Sequence, residues 1–132
     1  MKYLLLVYTD DALLDALPAG QADAMMRDCL THADEMRHHG RLLQSEQLED
    51  TSRAVRIRNG RITTVDGPFA EAKEVLGGFN IVEAESMDDA LKMAAEFPWA
   101  RTGRIEVRAV RDIENVRQRV FATAESTSGA DA

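Results

Sequence analysis

Apolar and polar residues follow one another along this chain in blocks whose spacing predicts strands and helices. Residues 2–9 form a nearly continuous apolar run with aromatic ends, which is typical of a central strand or one covered on both faces. From Gly20 to His39, apolar residues recur at three- and four-residue spacing, which predicts a helix that stops at Gly40. Residues 41–49 indicate a second strand, so the chain opens as strand, helix and strand.

A hairpin follows this opening. Residues 53–58 alternate between arginine and smaller or apolar residues, a pattern typical of a half-buried strand, and residues 61–65 return as its partner. The dipeptide Asn59-Gly60 between them favours the type I′ turn that joins two antiparallel strands. The returning strand leads directly into Asp66.

The second half of the chain repeats the order of strand, helix and strand. Residues 78–85 predict a strand, and Ser86 is a favourable N-cap for the helix that follows. That helix runs to about Glu96, because Pro98 cannot continue it. Residues 104–110 alternate and predict the last strand.

These elements together predict the fold class. Without the hairpin the order is βαββαβ, so we expect an α+β, ferredoxin-like domain with an inserted β-hairpin. Both helices would cover one face of the sheet. Residues 2–8 and 79–82 carry too many apolar side chains for the other face to lie in water. We therefore expect a homodimer in which two sheets meet face to face.

The chain length of 132 residues fits one domain with one core. The predicted domain spans residues 1–111. Residues 112–123 predict a short terminal helix, and residues 124–132 are small and polar, which is typical of a disordered tail.

Charge and hydropathy exclude two classes of partner. The net charge of −7 is the wrong sign for a nucleic-acid-binding surface, so no nucleic acid is expected. No apolar run is long enough to span a bilayer, and the N-terminal run is too short for a signal peptide. We expect a cytoplasmic protein with no membrane partner.

The cysteine and histidines do not predict a metal or a cofactor. Cys29 is the one cysteine, and its helical neighbours predict a small buried apolar group. His32, His38 and His39 lack the spacing of metal ligands, so no metal and no cofactor are expected. Trp99, at the corner after the second helix, is expected to pack or to line a cleft.

The stretch from Asp66 to Glu74 lies mid-chain between two predicted strands and carries four ionisable side chains. Its opening, Asp66-Gly67-Pro68, is a turn signal, because Asp bonds nearby backbone and Pro fixes φ at about −65°. Two interpretations stay open. The stretch is either a solvated, charged connection, or a ligand-binding or catalytic loop held between this turn and Gly77-Gly78.

The nonapeptide DGPFAEAKE at residues 66–74 closely resembles the DGPFAETKE signature of the YCII-related (DGPF) family. Residues 1–8, Gly77-Gly78-Phe79 and residues 101–108 resemble further blocks of that family, so the resemblance covers about residues 1–111. It implies a dimeric ferredoxin-like α+β barrel.

The resemblance also implies a site. A His/Asp pair is proposed as catalytic in some members of the family. Asp66 takes the position of that aspartate, and His32 is the candidate histidine. Ala72 stands where the signature has threonine, so any role of that hydroxyl is absent here.

The first functional hypothesis is a small-molecule enzyme of the proton-transfer type that uses no cofactor. Asp66, expected to be partly buried beside Phe69 and Phe79, would act as the general base. Lys73 would orient an acidic substrate or stabilise a developing oxyanion. His32 completes the predicted catalytic set.

The predicted ligand-binding residues favour an anionic substrate. Arg101 and Arg108 would clamp it, since a guanidinium group binds a carboxylate through two hydrogen bonds. Tyr8 would donate a further hydrogen bond. The remaining ligand-binding residues come from the central stretch: Phe69, Glu71 and Glu74.

The second hypothesis is a non-catalytic homodimer that senses a small ligand or binds a protein. Its cavity would be a sensor pocket, and its acidic surface would dock a partner. Under both hypotheses the ligand is an unknown small molecule. Convergent polar groups inside a closed cavity favour the enzyme, whereas a shallow or filled cavity favours the scaffold.

Overall fold

The structure is a computed structural model of the chain, and it describes residues 1–67 and 73–131. These residues form six strands, four α-helices and one short 3-10 helix. The strands are β1 (Lys2–Thr9), β2 (Leu42–Gln47), β3 (Ser52–Arg58), β4 (Arg61–Gly67), β5 (Val75–Glu83) and β6 (Gly103–Ala109). The helices are α1 (Asp11–Asp15), α2 (Gln21–His38), α3 (Met87–Glu96) and α4 (Ile113–Asp131), and the 3-10 helix is Pro98–Arg101.

Four strands form one antiparallel sheet in the order β2-β5-β1-β6, and β3 pairs with β4 in a separate hairpin. Leaving out the hairpin, the short helix α1, the 3-10 helix and the terminal helix α4, the chain has the βαββαβ order of a ferredoxin-like unit. The predicted α+β class with an inserted hairpin is therefore confirmed.

Two local signals set the ends of the long helices as the sequence predicts. At the end of α2, Gly40 has φ of 72°. Its N–H donates to the Arg37 carbonyl, and the N–H of Arg41 donates to that of Met36 at 2.9 Å, the bonding of a Schellman stop. At the start of α3, the Ser86 hydroxyl accepts a hydrogen bond from the backbone N–H of Asp89 at 3.1 Å.

The core lies between the helices and one face of the sheet. Leu5 and Val82 of the sheet are buried there, together with Met36 and Phe97 from the helical layer. The alternate sheet residues point to the opposite face, which carries none of the core cluster. We call it the open face, and its half-buried apolar residues include Leu4, Leu6, Phe79 and Ile81.

The hairpin is more exposed than its sequence predicts. Asn59 and Gly60 have φ of 52° and 74°, as the predicted type I′ turn requires. Every residue of β3 is exposed, and Val55 and Ile62 retain 68% and 70% of their accessible surface. The predicted half-burial is absent because β3 and β4 pair only with each other, so within the described chain their apolar side chains have no cover.

The terminal helix is longer than predicted. The sequence predicts a helix that ends at residue 123 and a disordered tail over residues 124–132, whereas α4 continues to Asp131. Proline is absent from this segment, so no missing N–H group interrupts the helical bonding. None of the helices in the described chain is both long and apolar enough to cross a membrane.

Candidate functional site

A cavity of about 280 Å³ lies between the helix-facing side of the sheet and the helices α1 and α2. Strands β1, β2 and β5 form its floor, and Leu14 of α1 and Met26 of α2 belong to its walls. The polar groups on its lining come from parts of the chain that are far apart in sequence. The uncharged ones belong to Thr9, Cys29, Ser45, Gln47, Asn80 and Trp99.

Asn80 is the central polar residue of this lining. It lies in the middle of β5, opposite Leu5 on one neighbouring strand and Ser45 on the other, and it is only 5% exposed. Its side-chain amide forms no hydrogen bond with any residue in the described part of the chain. Because Asn80 lies on the cavity lining and its amide has no partner in the described chain, this group is available to a molecule that enters the cavity.

Cys29 and Trp99 form a second polar contact on the lining. The indole Nε1–H of Trp99 donates a hydrogen bond to Sγ of Cys29 at 3.2 Å. Burial raises the pKa of the Cys29 thiol, and the bond from Trp99 opposes this effect only in part. The thiol is therefore protonated at neutral pH and is not a nucleophile. The predicted burial of Cys29 and the cleft-lining position of Trp99 are both confirmed.

The raised pKa of Cys29 predicts a loss of stability in alkali. The folded state holds the thiol proton more tightly than the unfolded state, whose thiol titrates near the ordinary value of 9.0. This contribution to stability is complete below pH 9.0 and is lost as the pH rises through the folded-state pKa. Urea unfolding between neutral and alkaline pH should therefore show a steeper alkaline decline for the wild-type protein than for Cys29→Ala. The two proteins differ only at residue 29, so parallel pH profiles would contradict the prediction.

Asp66, the predicted general base, is exposed. It lies on β4 of the hairpin, where its side chain is 83% exposed and its Oδ1 is 2.9 Å from Nε of Arg53 on β3. The expected partial burial beside Phe79 is wrong for the described chain, because Asp66 belongs to the separate hairpin and Phe79 belongs to the main sheet. Phe69, its other expected neighbour, lies outside the described residues, as does Glu71.

The other two predicted catalytic residues lie away from Asp66. His32 packs edge-on against the ring of Phe97, with ring centroids 4.6 Å apart, and its Nε2 is 3.3 Å from Oε2 of Glu96. No hydrogen bond or ion pair within the described chain joins His32 to Asp66. Lys73 is exposed just before β5. The predicted catalytic set is therefore not assembled within the described chain.

The predicted ligand residues Tyr8 and Glu74 are joined by a residue that the sequence reasoning missed, Arg104. Its guanidinium carbon lies 4.0 Å from the centroid of the Tyr8 ring, and its Nε donates to Oε1 of Glu74 at 2.9 Å. Arg104 is opposite Tyr8 in the β1–β6 register, on the open face. Arg108 is exposed further along the same face, and Arg101 is exposed in the 3-10 helix.

The cavity lining contains none of the predicted site residues that the structure describes. Asn80 and Ser45 were both missed. One signal in the sequence could have indicated Asn80, because it is a lone amide between Phe79 and Ile81 in the apolar part of a strand. Asparagine is depleted in strands, so its presence in a central one calls for a partner or a function.

The described chain offers no metal centre. No group of three or more histidine, cysteine, aspartate or glutamate side chains in residues 1–67 and 73–131 is placed to hold a metal ion.

Comparison with known proteins places the chain among relatives. The sequence model of the YCII-related domain matches residues 1–114. An uncharacterized protein of Rhizobium meliloti (strain 1021) is 34% identical over 112 residues, which cover 82% of this chain and 90% of that protein. A solved structure of 5-chloro-2-hydroxyhydroquinone dehydrochlorinase (TftG) from Burkholderia phenoliruptrix AC1100, in complex with 2,5-dihydroxybenzoquinone, is similar with a TM-score of 0.42 and 15% identity. That match covers 84% of this chain and 94% of the other.

Proposed function

The chain belongs to the YCII-related family, and we propose that it binds a small organic molecule in the cavity between α1, α2 and the sheet. The observation that carries this proposal is the amide of Asn80, a residue that lies on the lining, is only 5% exposed and has no side-chain hydrogen-bond partner in the described chain. A ligand that enters the cavity can accept a hydrogen bond from this amide or donate one to it.

The composition of the lining supports the same function. Ligand pockets combine apolar walls with a few polar groups that fix orientation. Here Val7, Leu14 and Met26 supply apolar surface, and Asn80 and Ser45 supply hydrogen-bonding groups. A volume of about 280 Å³ lies at the lower end of the usual range, so the ligand is a small molecule.

The proposed function is the binding of a small molecule. Catalysis of the proton-transfer type would be an additional activity of the protein. The base of that reaction, as predicted from the sequence, is Asp66, which lies on the hairpin and not on the lining. The described lining favours the binding role, because the Cys29 thiol is protonated and no histidine lines the cavity.

The second part of the proposal is a homodimer formed through the open face. Leu4, Leu6, Phe79 and Ile81 form an apolar stripe there that belongs to no core cluster of the described chain. An isolated two-stranded hairpin is also only marginally stable in water. We therefore expect another surface to cover the apolar side chains of β3 and β4. A second copy of the chain would cover both surfaces.

The proposed ligand site predicts an unusual result for Asn80→Leu. Leucine has the same number and branching of side-chain heavy atoms, so the free energy of unfolding should stay within about 1.5 kcal/mol of the wild-type value. Binding of fragments should weaken at least about tenfold, because they lose a buried hydrogen bond. Urea unfolding measures the first effect. NMR titration followed on the indole N–H of Trp99, the one tryptophan, measures the second.

Thr102→Val is the matched control. The Thr102 hydroxyl is buried without a partner in the described chain, and Thr102 does not line the cavity. This substitution should stabilise the protein and leave fragment binding unchanged. If Asn80→Leu destabilised the fold while fragments still bound with wild-type affinity, the proposal would be wrong.

A further inference from the structure

The charged residues on the cavity lining are all acidic. They are Asp11, at the start of α1, Glu46 on β2, and Asp50, which follows β2. Glu46 pairs with Phe79, so its side chain points to the open face. Asp11 and Asp50 are exposed, and neither forms an ion pair within the described chain. The carboxylates of Asp11 and Asp50 therefore lie on the solvent side of the cavity, and neither is paired with a basic side chain of the described chain.

Basic side chains that could receive an anion lie elsewhere. No lysine, arginine or histidine belongs to the described lining. Arg101 is exposed on the 3-10 helix, and Arg108 is on the open face. Lys73 is exposed and off the lining. An anion entering the cavity would thus meet two negative charges and no positive one, which disfavours its binding.

The charged residues of the lining are exposed, whereas its central polar residue is buried. Asn80, the buried end, is 5% exposed and offers an uncharged donor and acceptor. Val7, Leu14 and Met26 give apolar surface on the same lining, and Asp11 and Asp50 are exposed at the solvent side. A complementary ligand has an uncharged hydrogen-bonding end, an apolar body and a positive charge.

From this arrangement we infer that the cavity takes a small organic cation, an amine whose uncharged polar end bonds Asn80 and whose ammonium group lies near Asp11 and Asp50. The inference rests on the proposed function, because it names the class of ligand for the same cavity. It also replaces the anionic substrate predicted from Arg101, Arg108 and Lys73.

Three probes that share one carbamoyl-phenyl skeleton test the charge. These are 3-(aminomethyl)benzamide, a cation, isophthalamide, which is neutral, and 3-carbamoylbenzoate, an anion. Each is titrated at low ionic strength while the indole N–H of Trp99 and the side-chain amide of Asn80 are followed by NMR. The cation should bind about tenfold more tightly than the anion, with the neutral probe between them, because exposed carboxylates each contribute modestly. Added salt should narrow the gap.

A pair of double variants isolates the two carboxylates. Asp11→Asn with Asp50→Asn should abolish the difference between cation and anion and leave isophthalamide binding unchanged. Asp28→Asn with Asp88→Asn changes the net charge equally at exposed positions off the lining, and it should preserve the difference.

The outcomes separate this inference from the proposed function. If the anion binds as tightly as the cation, or if the difference survives in the Asp11 and Asp50 double variant, the charge inference is overturned while binding in the cavity stands. If none of the three probes moves either signal, the charge inference is also overturned. The stability of Asn80→Leu and its fragment screen then decide the proposed function separately.

Discussion

Replacing Phe97 with alanine should lower the free energy of unfolding by about 3–5 kcal/mol. Phe97 is 1% exposed and is among the largest fully buried side chains of the core. It follows α3 directly and packs against the ring of His32 on α2, so its removal leaves a cavity between two elements. Urea unfolding followed by Trp99 fluorescence measures the loss, and variants at the same protein concentration are compared.

Phe121→Ala is the control for this change. Phe121 is 56% exposed on α4, so removing the same ring there should change stability by less than about 0.5 kcal/mol. The contrast tests whether Phe97 occupies the core. A loss below about 1 kcal/mol at Phe97, or equal losses at both positions, would contradict the described packing.

The fold was predictable because its local signals agree with one another. Gly40 stops α2 through the Schellman bonds, Asn59-Gly60 forms the hairpin turn, and Ser86 caps α3. Each signal depends on residues close in sequence, where backbone sterics and capping act directly. Together with the period of the apolar residues, they determine the order of strands and helices.

The site was less predictable because its groups meet only through long-range packing. Cys29 and Trp99 are 70 residues apart in sequence and share a hydrogen bond. Periodicity assigns a residue to one side of a strand, but it does not say where the packed layers leave a cavity. Asp66 is exposed because β4 pairs only with β3 and does not join the main sheet. The alternation of polar and apolar residues along β4 would be the same in either arrangement, so the sequence does not distinguish them.

The register of the sheet explains a further miss. Arg104 and Tyr8 contact each other because β6 pairs with β1 in one particular alignment. The sequence indicates both strands, but a shift by one residue would move Arg104 to the other face. A strand predicted from the sequence therefore divides its side chains between two faces, but it does not determine which residues of the neighbouring strand they contact.

Ile81→Lys should convert the proposed homodimer into a monomer. Ile81 pairs with Leu4 on the open face, within the apolar stripe that a second copy would cover. A lysine there would place a charge without a partner in the middle of the interface, which should weaken the dimer at least about 100-fold. Ile81 belongs to no core cluster, so the monomer should stay folded. Light scattering at micromolar concentration should give about twice the 14.7 kDa chain mass for wild type and one chain mass for the variant.

Leu30→Lys distinguishes the open face from apolar surface in general. Leu30 is 54% exposed on α2, on the helical side of the domain, so a lysine there should leave the dimer intact. Both variants gain one charge at an apolar position. A difference in their measured mass therefore shows which side of the domain forms the interface. If wild type were a monomer at micromolar concentration, the homodimer proposal would be wrong. If Leu30→Lys dissociated the dimer and Ile81→Lys did not, the interface would lie on the helices, and the apolar stripe of the open face would need another partner.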